Sequence, residues 1–258
     1  MSIELDIIED VIALITINRP EQRNALDEAH YEALSAAWQR VRDDTAIRVA
    51  IVTGAGDKAF CAGADLKNFI PKQAARNEGW GTQPPPLLNR GLEIWKPVIA
   101  AVNGYCLGGG TTLLLATDIR VAVQHATFGL TEVKRGLVAG NGGTQRCIAQ
   151  LPHAIAMELL LTGDAIDAAT AARWGLVNKL VAADALLPTA LDYARRIAAN
   201  APLAVQATKE LALRAPELGL AGGQRMEQLV NRMLLGTSDV KEGALAFVEK
   251  RPARFTGA

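Results

Sequence analysis

Four apolar runs dominate the chain: VIALITIN (Val11 to Asn18), RVAIVTGAG (Arg48 to Gly56), KPVIAAVNGY (Lys96 to Tyr105) and DIRVAV (Asp118 to Val123). Each is rich in β-branched residues, which predicts strands. They are nearly continuous in hydrophobicity rather than alternating, as strands covered on both faces must be, and that pattern predicts an α/β architecture. Between the first two, Leu26, Ala33, Leu34, Ala37, Trp38 and Val41 recur at spacings of three and four. This stripe predicts a helix from about Asp27 to Val41, with Asp27 and Glu28 at the positive end of its dipole.

The 258 residues are 50% hydrophobic, enough for one large core with a satellite region. Lys plus Arg and Asp plus Glu both number 27, so no broad basic field exists to hold a nucleic-acid backbone, and none is expected as a partner. The acidic start, MSIELDIIED, lacks the positive charge of a secretory signal, and no apolar run reaches the roughly 18 residues of a membrane span. The expectation is a cytoplasmic protein with no membrane partner. Cys61, Cys106 and Cys147 are widely spaced and predict reduced, buried thiols; His30, His125 and His153 show no ligand spacing, so no metal is expected.

The stretch from Pro71 to Leu88, with its run of prolines, predicts an irregular excursion and a pocket wall. After about Asp184 the chain turns helical. LLPTALDYARRIAAN, APLAVQATKELALRA, GQRMEQLVNRMLLG and SDVKEGALAFVEK predict four amphipathic helices, with starts at Pro202 and at the Asp239 to Glu242 pair.

Three glycine-rich turns, CAGADLK (Cys61 to Lys67), LGGGTT (Leu107 to Thr112) and GLVAGNGGTQR (Gly136 to Arg146), each precede a potential helix. Each can therefore present backbone N–H groups at a positive helix terminus. No phosphate-loop or dinucleotide-binding pattern is satisfied, and no serine lies in a nucleophile elbow. The chemistry falls to acids. Glu132 sits in a mostly apolar segment just before the third turn, which leaves two readings: a solvated loop glutamate, or a desolvated one whose pKa is raised toward a value useful for proton transfer.

Taken in order, GAGDKAFCAGADLK, KPVIAAVNGYCLGGG, ATDIRVA, TFGLTEVKRGLVAGNGGTQR, ARWGLVN and AFVEKRPARF resemble the crotonase family, the enoyl-CoA hydratase/isomerase superfamily, over essentially the whole chain. The resemblance implies a crotonase-like ββα superhelix, or spiral, over residues 1–190 and a C-terminal helical trimerisation region over 191–258, assembling as a homotrimer or homohexamer. It implies an acyl-CoA thioester substrate, with coenzyme A part of that substrate and no separate cofactor. A thioester enolate would be held by the N–H groups of Ala64 and Gly109. Coenzyme A would meet Arg23, Asn24, Ala25 and Leu26, then Ala62, Asp65, Leu66 and Lys67, and also Phe247 and Lys250 near the C-terminus, often from a neighbouring subunit.

Hydratases of the family use two glutamates, one matching Glu132 and one at the position that is Thr112 here. A single carboxylate matches family isomerases that move a double bond between the 3 and 2 positions. Gly140, however, matches the glycine that holds the hydratase water, and RVAIVTGAG, AGADLK and KPVIAAVNGY look most like the hydratase and carnitinyl-CoA dehydratase branch. Hydration or dehydration is placed first, isomerisation by Glu132 alone second. A catalytically silent acyl-CoA binding subunit is the reading from a different class.

Overall fold

The computed structural model describes residues 3–67 and 85–258. The chain opens with an antiparallel hairpin, β1 (Ile3–Ile8) and β2 (Ile12–Ile17), followed by helix α1 (Glu28–Asp43). Asp27 caps that helix by accepting the His30 N–H, and Leu34, Ala37, Trp38 and Val41 form its buried face. The β1 strand has no counterpart in the sequence-based expectation. Its acids at Glu4 and Asp6 break the apolar pattern that marks the other strands.

Thereafter a pair of strands repeats. β3 (Val49–Gly54) is followed by β4 (Ala59–Cys61), β5 (Val98–Val102) by β6 (Tyr105–Leu107), and β7 (Ile119–Val123) by β8 (Thr127–Gly129). The first of each pair joins a six-stranded sheet ordered β1-β2-β3-β5-β7-β10, and the second joins a four-stranded sheet ordered β4-β6-β8-β9, with β9 at Ile166–Asp167 and β10 at Lys179–Val181. Apart from β1 with β2 and β8 with β9, neighbouring strands are parallel. This is a mixed α/β fold of two sheets wound together by repeated strand pairs.

The stretch Lys96 to Tyr105, expected as one strand, is therefore two strands in different sheets. Asn103 makes the corner: its Nδ2 donates to the carbonyls of Gly54 and Gly56, each at 2.8 Å, and its Oδ1 accepts the Gly54 N–H at 3.2 Å. A buried amide thus supplies the pairing that the turning backbone gives up.

Helices fill the remaining chain: α2 (Gly109–Leu114), α3 (Gly143–Gln150), α4 (His153–Thr162), α5 (Ala168–Arg173), α6 (Leu186–Ala198), α7 (Pro202–Leu234) and α8 (Ser238–Glu249). The two amphipathic stretches after Pro202 merge into α7, which is interrupted at Gly219 (φ 63°, ψ 171°) three residues after Pro216. Helix α7 has no fully buried residue. Lys209 tethers it by donating to the Lys96 carbonyl at 3.0 Å and pairing with Asp118 at 2.7 Å. The last helix begins one residue before Asp239, whose carboxylate instead accepts the N–H groups of Thr256 and Gly257 and fastens the chain terminus. No helix among the described residues is long and apolar enough to cross a membrane.

All three cysteines are buried and free, as expected. The excursion from Pro71 lies outside the described residues up to 84; beyond it Leu87 and Leu88 are buried, and the Pro86 carbonyl accepts the Ser35 hydroxyl at 2.6 Å.

The glycine triplet that starts α2 has a separate reason at each position. Gly108 takes a left-handed φ of 52°. Gly110 packs so closely on β4 that a Cβ would fall inside the Cys61 carbonyl. Gly109, between them, faces a cavity. A Gly110→Ala substitution must therefore push α2 off β4. Overpacking of this kind costs about 1–3 kcal/mol, and at about 2–4 °C per kcal/mol the melting temperature should fall by roughly 5 °C in a thermal unfolding scan. An unchanged value would contradict the packing described.

Candidate active site

The Cys61 to Lys67 turn and the glycine triplet meet because each pairs with a neighbour that fixes its direction. Leu26 donates to the Gly63 carbonyl and accepts the Asp65 N–H, each at 2.8 Å. In a parallel bridge of this kind the Ala64 N–H points away from Leu26, toward α2. A Cβ on Gly109 would sit 3.6 Å from Ala64 N and 3.5 Å from both Gly63 Cα and the Tyr31 hydroxyl. Two peptide N–H groups, of Ala64 and Gly109, thus border one small space, and the missing side chain keeps that space open. Neither has a hydrogen-bond partner among the described residues.

Around them lies a cavity of about 750 Å³, ample for a drug-sized ligand. It is lined by Ala64, Gly109, Thr112, Glu132 and Gly140, and toward its mouth by Arg23, Ala25, Ala62, Asp65, Leu66 and Lys67. The expected residues are thereby largely brought together.

Four are not. Asn24 is fully buried beneath the turn, where Nδ2 donates to the Ala55 and Ala59 carbonyls and Oδ1 accepts the Arg19 N–H; it shapes the loop rather than facing the cavity. Leu26, 2% exposed, belongs to the core. Phe247, 85% exposed on α8, and Lys250, the left-handed cap of that helix, lie outside this cavity within the single chain.

Glu132 begins a short 3-10 turn, Glu132–Arg135, which follows directly from β8. Its Oε1 lies 3.6 Å from where a Cβ on Gly108 would be, so the carboxylate stands against the N-terminus of α2. Burial pushes its pKa above the usual carboxylate value, with Arg135 opposing that shift. Its Oε2 is buried with no hydrogen-bond partner among the described residues, and the same holds for Thr112 Oγ1. Thr112 is 2% exposed, and a Cβ on Gly143 would come within 2.7 Å of its hydroxyl, so α3 packs directly on it. Its neighbour Thr111 is satisfied: the hydroxyl donates to the Cys106 carbonyl at 2.6 Å and accepts the Gly129 N–H at 3.3 Å, tying α2 to the strand that leads to Glu132.

Sequence reasoning missed Tyr31 and Arg90. Tyr31 falls three positions before Leu34, on the buried stripe of α1, so periodicity already placed it inward. Arg90, in an irregular loop, carries no such signal. Its guanidinium lies over the Tyr31 ring, 5.5 Å from the centroid, and Nη1 donates to Asn141 Oδ1 at 3.1 Å.

The sequence matches the family model described as enoyl-CoA hydratase/isomerase over residues 8–258. The chain belongs to the enoyl-CoA hydratase/isomerase family. It is 44% identical over 251 residues to the (E)-benzylidenesuccinyl-CoA hydratase of Thauera aromatica, covering 97% of this chain and 98% of that one. Against the carnitinyl-CoA dehydratase of Proteus mirabilis it is 39% identical, with 94% of each chain covered. The crystal structure of an enoyl-CoA hydratase from Bacillus anthracis superposes over the full length of both chains with a TM-score of 0.90 at 36% identity. An enoyl-CoA hydratase from Mycobacterium marinum gives 0.88 at 43% identity, over 100% of this chain and 99% of that one. The two-sheet strand-pair spiral is thus the fold of this enoyl-CoA hydratase/isomerase family.

The raised pKa of Glu132 has a consequence for stability. A carboxyl whose folded pKa exceeds its unfolded value of about 4.3 destabilises the native state once it ionises and does nothing when both states are protonated. Glu132→Gln should therefore raise the melting temperature at pH 7–8, and the gain should vanish as pH falls through about 4. A loss of stability at pH 7 would show that the carboxylate is held by favourable contacts instead.

Proposed function

We propose that this chain adds water to, or removes it from, an acyl-CoA thioester, as the names of its hydratase and dehydratase relatives say of theirs, and that it does so through an enolate. The observation that carries the reading is that Thr112 and Glu132, whose Oγ1 and Oε2 are buried with no hydrogen-bond partner among the described residues, line one cavity with Ala64 and Gly109, whose peptide N–H groups likewise have none there. Buried polar atoms rarely go unsatisfied. Two such residues in the wall of one cavity would suit a bound water, with Gly140 N–H a third contact.

In this reading the thioester oxygen sits between the N–H groups of Ala64 and Gly109. Glu132 takes a proton from the water, whose oxygen attacks the β-carbon while negative charge moves to the thioester oxygen. The protonated Glu132 then returns a proton to the α-carbon, so one carboxylate serves both steps. Thr112 Oγ1 accepts a hydrogen bond from the O–H that the water keeps and so orients it; a hydroxyl cannot itself act as base near neutral pH. Losing one such peptide donor costs on the order of 3 kcal/mol in the barrier.

Arg23 and Lys67, at the cavity mouth, are the contacts for coenzyme A phosphate. Phe247 and Lys250 reach coenzyme A only by serving a neighbouring subunit. The exposure of Leu220, Met233, Phe247 and Val248 along α7 and α8 supports a homotrimer, alone or paired as a hexamer.

Isomerisation by Glu132 alone remains the second reading, favoured by the hydroxyl at Thr112. Incubation with a 2-enoyl-CoA and, separately, a 3-enoyl-CoA in heavy-oxygen water separates them. Label in a 3-hydroxyacyl-CoA is expected; unlabelled conversion of the 3-enoyl to the 2-enoyl thioester would make it an isomerase, and no reaction with either would contradict both and put a silent binding subunit or a different acyl group first. Glu132→Gln should lower kcat by about 10²–10⁴-fold.

A further inference from the structure

Arg23, at the mouth of the cavity, has a side-chain arrangement that the reading above leaves unexplained. It is exposed, and its guanidinium makes no hydrogen bond or ion pair among the described residues. What it has instead is a ring: the guanidinium lies over Tyr105, 5.4 Å from the centroid.

Both partners stand on fixed backbone. Arg23 takes a left-handed φ of 52° at the end of a short 3-10 turn, where its N–H donates to the Pro20 carbonyl at 3.0 Å and its carbonyl accepts the Ala62 N–H at 3.1 Å. Tyr105 opens β6, between β4 and β8 in the four-stranded sheet, and its N–H donates to the Lys58 carbonyl at 2.9 Å. The two are bolted together from beneath. Asn24, next to Arg23, donates to the Ala59 carbonyl at 2.6 Å, and Ala59 is the register partner of Tyr105.

Tyr105 is 41% exposed, a large aromatic surface for a strand inside a sheet. Alternation along the strand accounts for its direction, since Cys106 turns inward and is fully buried, but not for an aromatic ring at that place. Arg23 accounts for the ring. An aromatic face attracts a cation without using any of the guanidinium N–H groups, so those donors are kept for an anion. Stacking also confines a long side chain that would otherwise lose its rotamer freedom on gripping a ligand, and a confined side chain has less to lose.

We propose that Tyr105 is a positioning residue for coenzyme A: it holds the Arg23 guanidinium ready to take a phosphate of the substrate's nucleotide end. Tyr105 is not part of the described cavity lining and acts through Arg23. The inference rests on the acyl-CoA reading above and deepens it by naming the residue on which the phosphate contact depends.

The test is binding, which needs no turnover. Calorimetric titration compares hexanoyl-CoA with hexanoyl-pantetheine, which has the same acyl group and thioester but no phosphate. The unsubstituted protein is expected to bind the coenzyme A thioester more tightly. Tyr105→Ala should weaken that binding about threefold, the size of one exposed cation–π contact, and leave the pantetheine thioester unchanged. Tyr105→Phe keeps the ring and should bind as the unsubstituted protein does. Arg23→Gln should cost about tenfold for the coenzyme A thioester, and Tyr105→Ala should then add little. Tyr105→Leu, which keeps an apolar side chain without a ring, replaces the alanine variant if that one unfolds. Undiminished binding of hexanoyl-CoA by Tyr105→Ala would overturn the proposal. So would an equal loss for both thioesters, which signals a deformed cavity, or the same loss repeated in the Arg23→Gln background, which means that Tyr105 acts without Arg23. Equal binding of the two thioesters by the unsubstituted protein would show that no phosphate is gripped and would remove the role of both residues while leaving the thioester site intact. Binding of neither would overturn the acyl-CoA reading itself.

Discussion

The site depends on one close approach: the first turn of α2 against the end of β4. Because Gly110 lies directly on the Cys61 carbonyl, Gly109 is brought beside Ala64, and two peptide N–H groups from distant parts of the chain face one point. Donors fixed in this way need no reorganisation when charge develops between them, which is what makes such a pair useful in catalysis. The rest of the fold holds this contact in place. Leu26 orients the Ala64 peptide, Asn24 and Asn103 fill the backbone valences of the turning strands, and Thr111 links α2 to β8 and so to Glu132.

Burial does two jobs here. It raises the affinity of Glu132 for a proton, and it leaves Oε2 and the Thr112 hydroxyl without hydrogen-bond partners among the described residues. A carboxylate already poised to accept a proton can both take one and give it back. In the mechanism proposed above, that property would let one acid serve both proton transfers. The hydroxyl at Thr112 keeps the position polar while removing its charge, which also lowers the repulsion that a second carboxylate would impose on Glu132.

Much of this was legible in the sequence. The continuous apolar strands announced a sheet covered on both faces, and the glycine triplet announced the start of α2 with an open N–H at Gly109, whereas the helix expected after Lys67 lies outside the described residues. The residues expected to act, Ala64, Gly109, Thr112, Glu132 and Gly140, all line the cavity. Where sequence reasoning stopped, a physical cause is visible. A periodic signal cannot show a strand changing sheets at Asn103, since the residues on both sides of the corner are largely apolar. Asn24 and Leu26 lie in the same short stretch as Arg23 and Ala25, and only the backbone direction decides which side chains turn inward. Arg90 enters the cavity through tertiary packing on Tyr31, to which local pattern is blind.

The central claim is that two peptide N–H groups polarise a thioester carbonyl. The most direct measurement is the infrared stretch of that carbonyl, isotopically labelled, in an acyl-CoA bound to the protein and free in solution. Hydrogen bonds from Ala64 and Gly109 should weaken the bond and move the band to lower frequency. A band at the free position in a fully bound sample would mean that the thioester oxygen lies elsewhere, and the account of this cavity would be wrong.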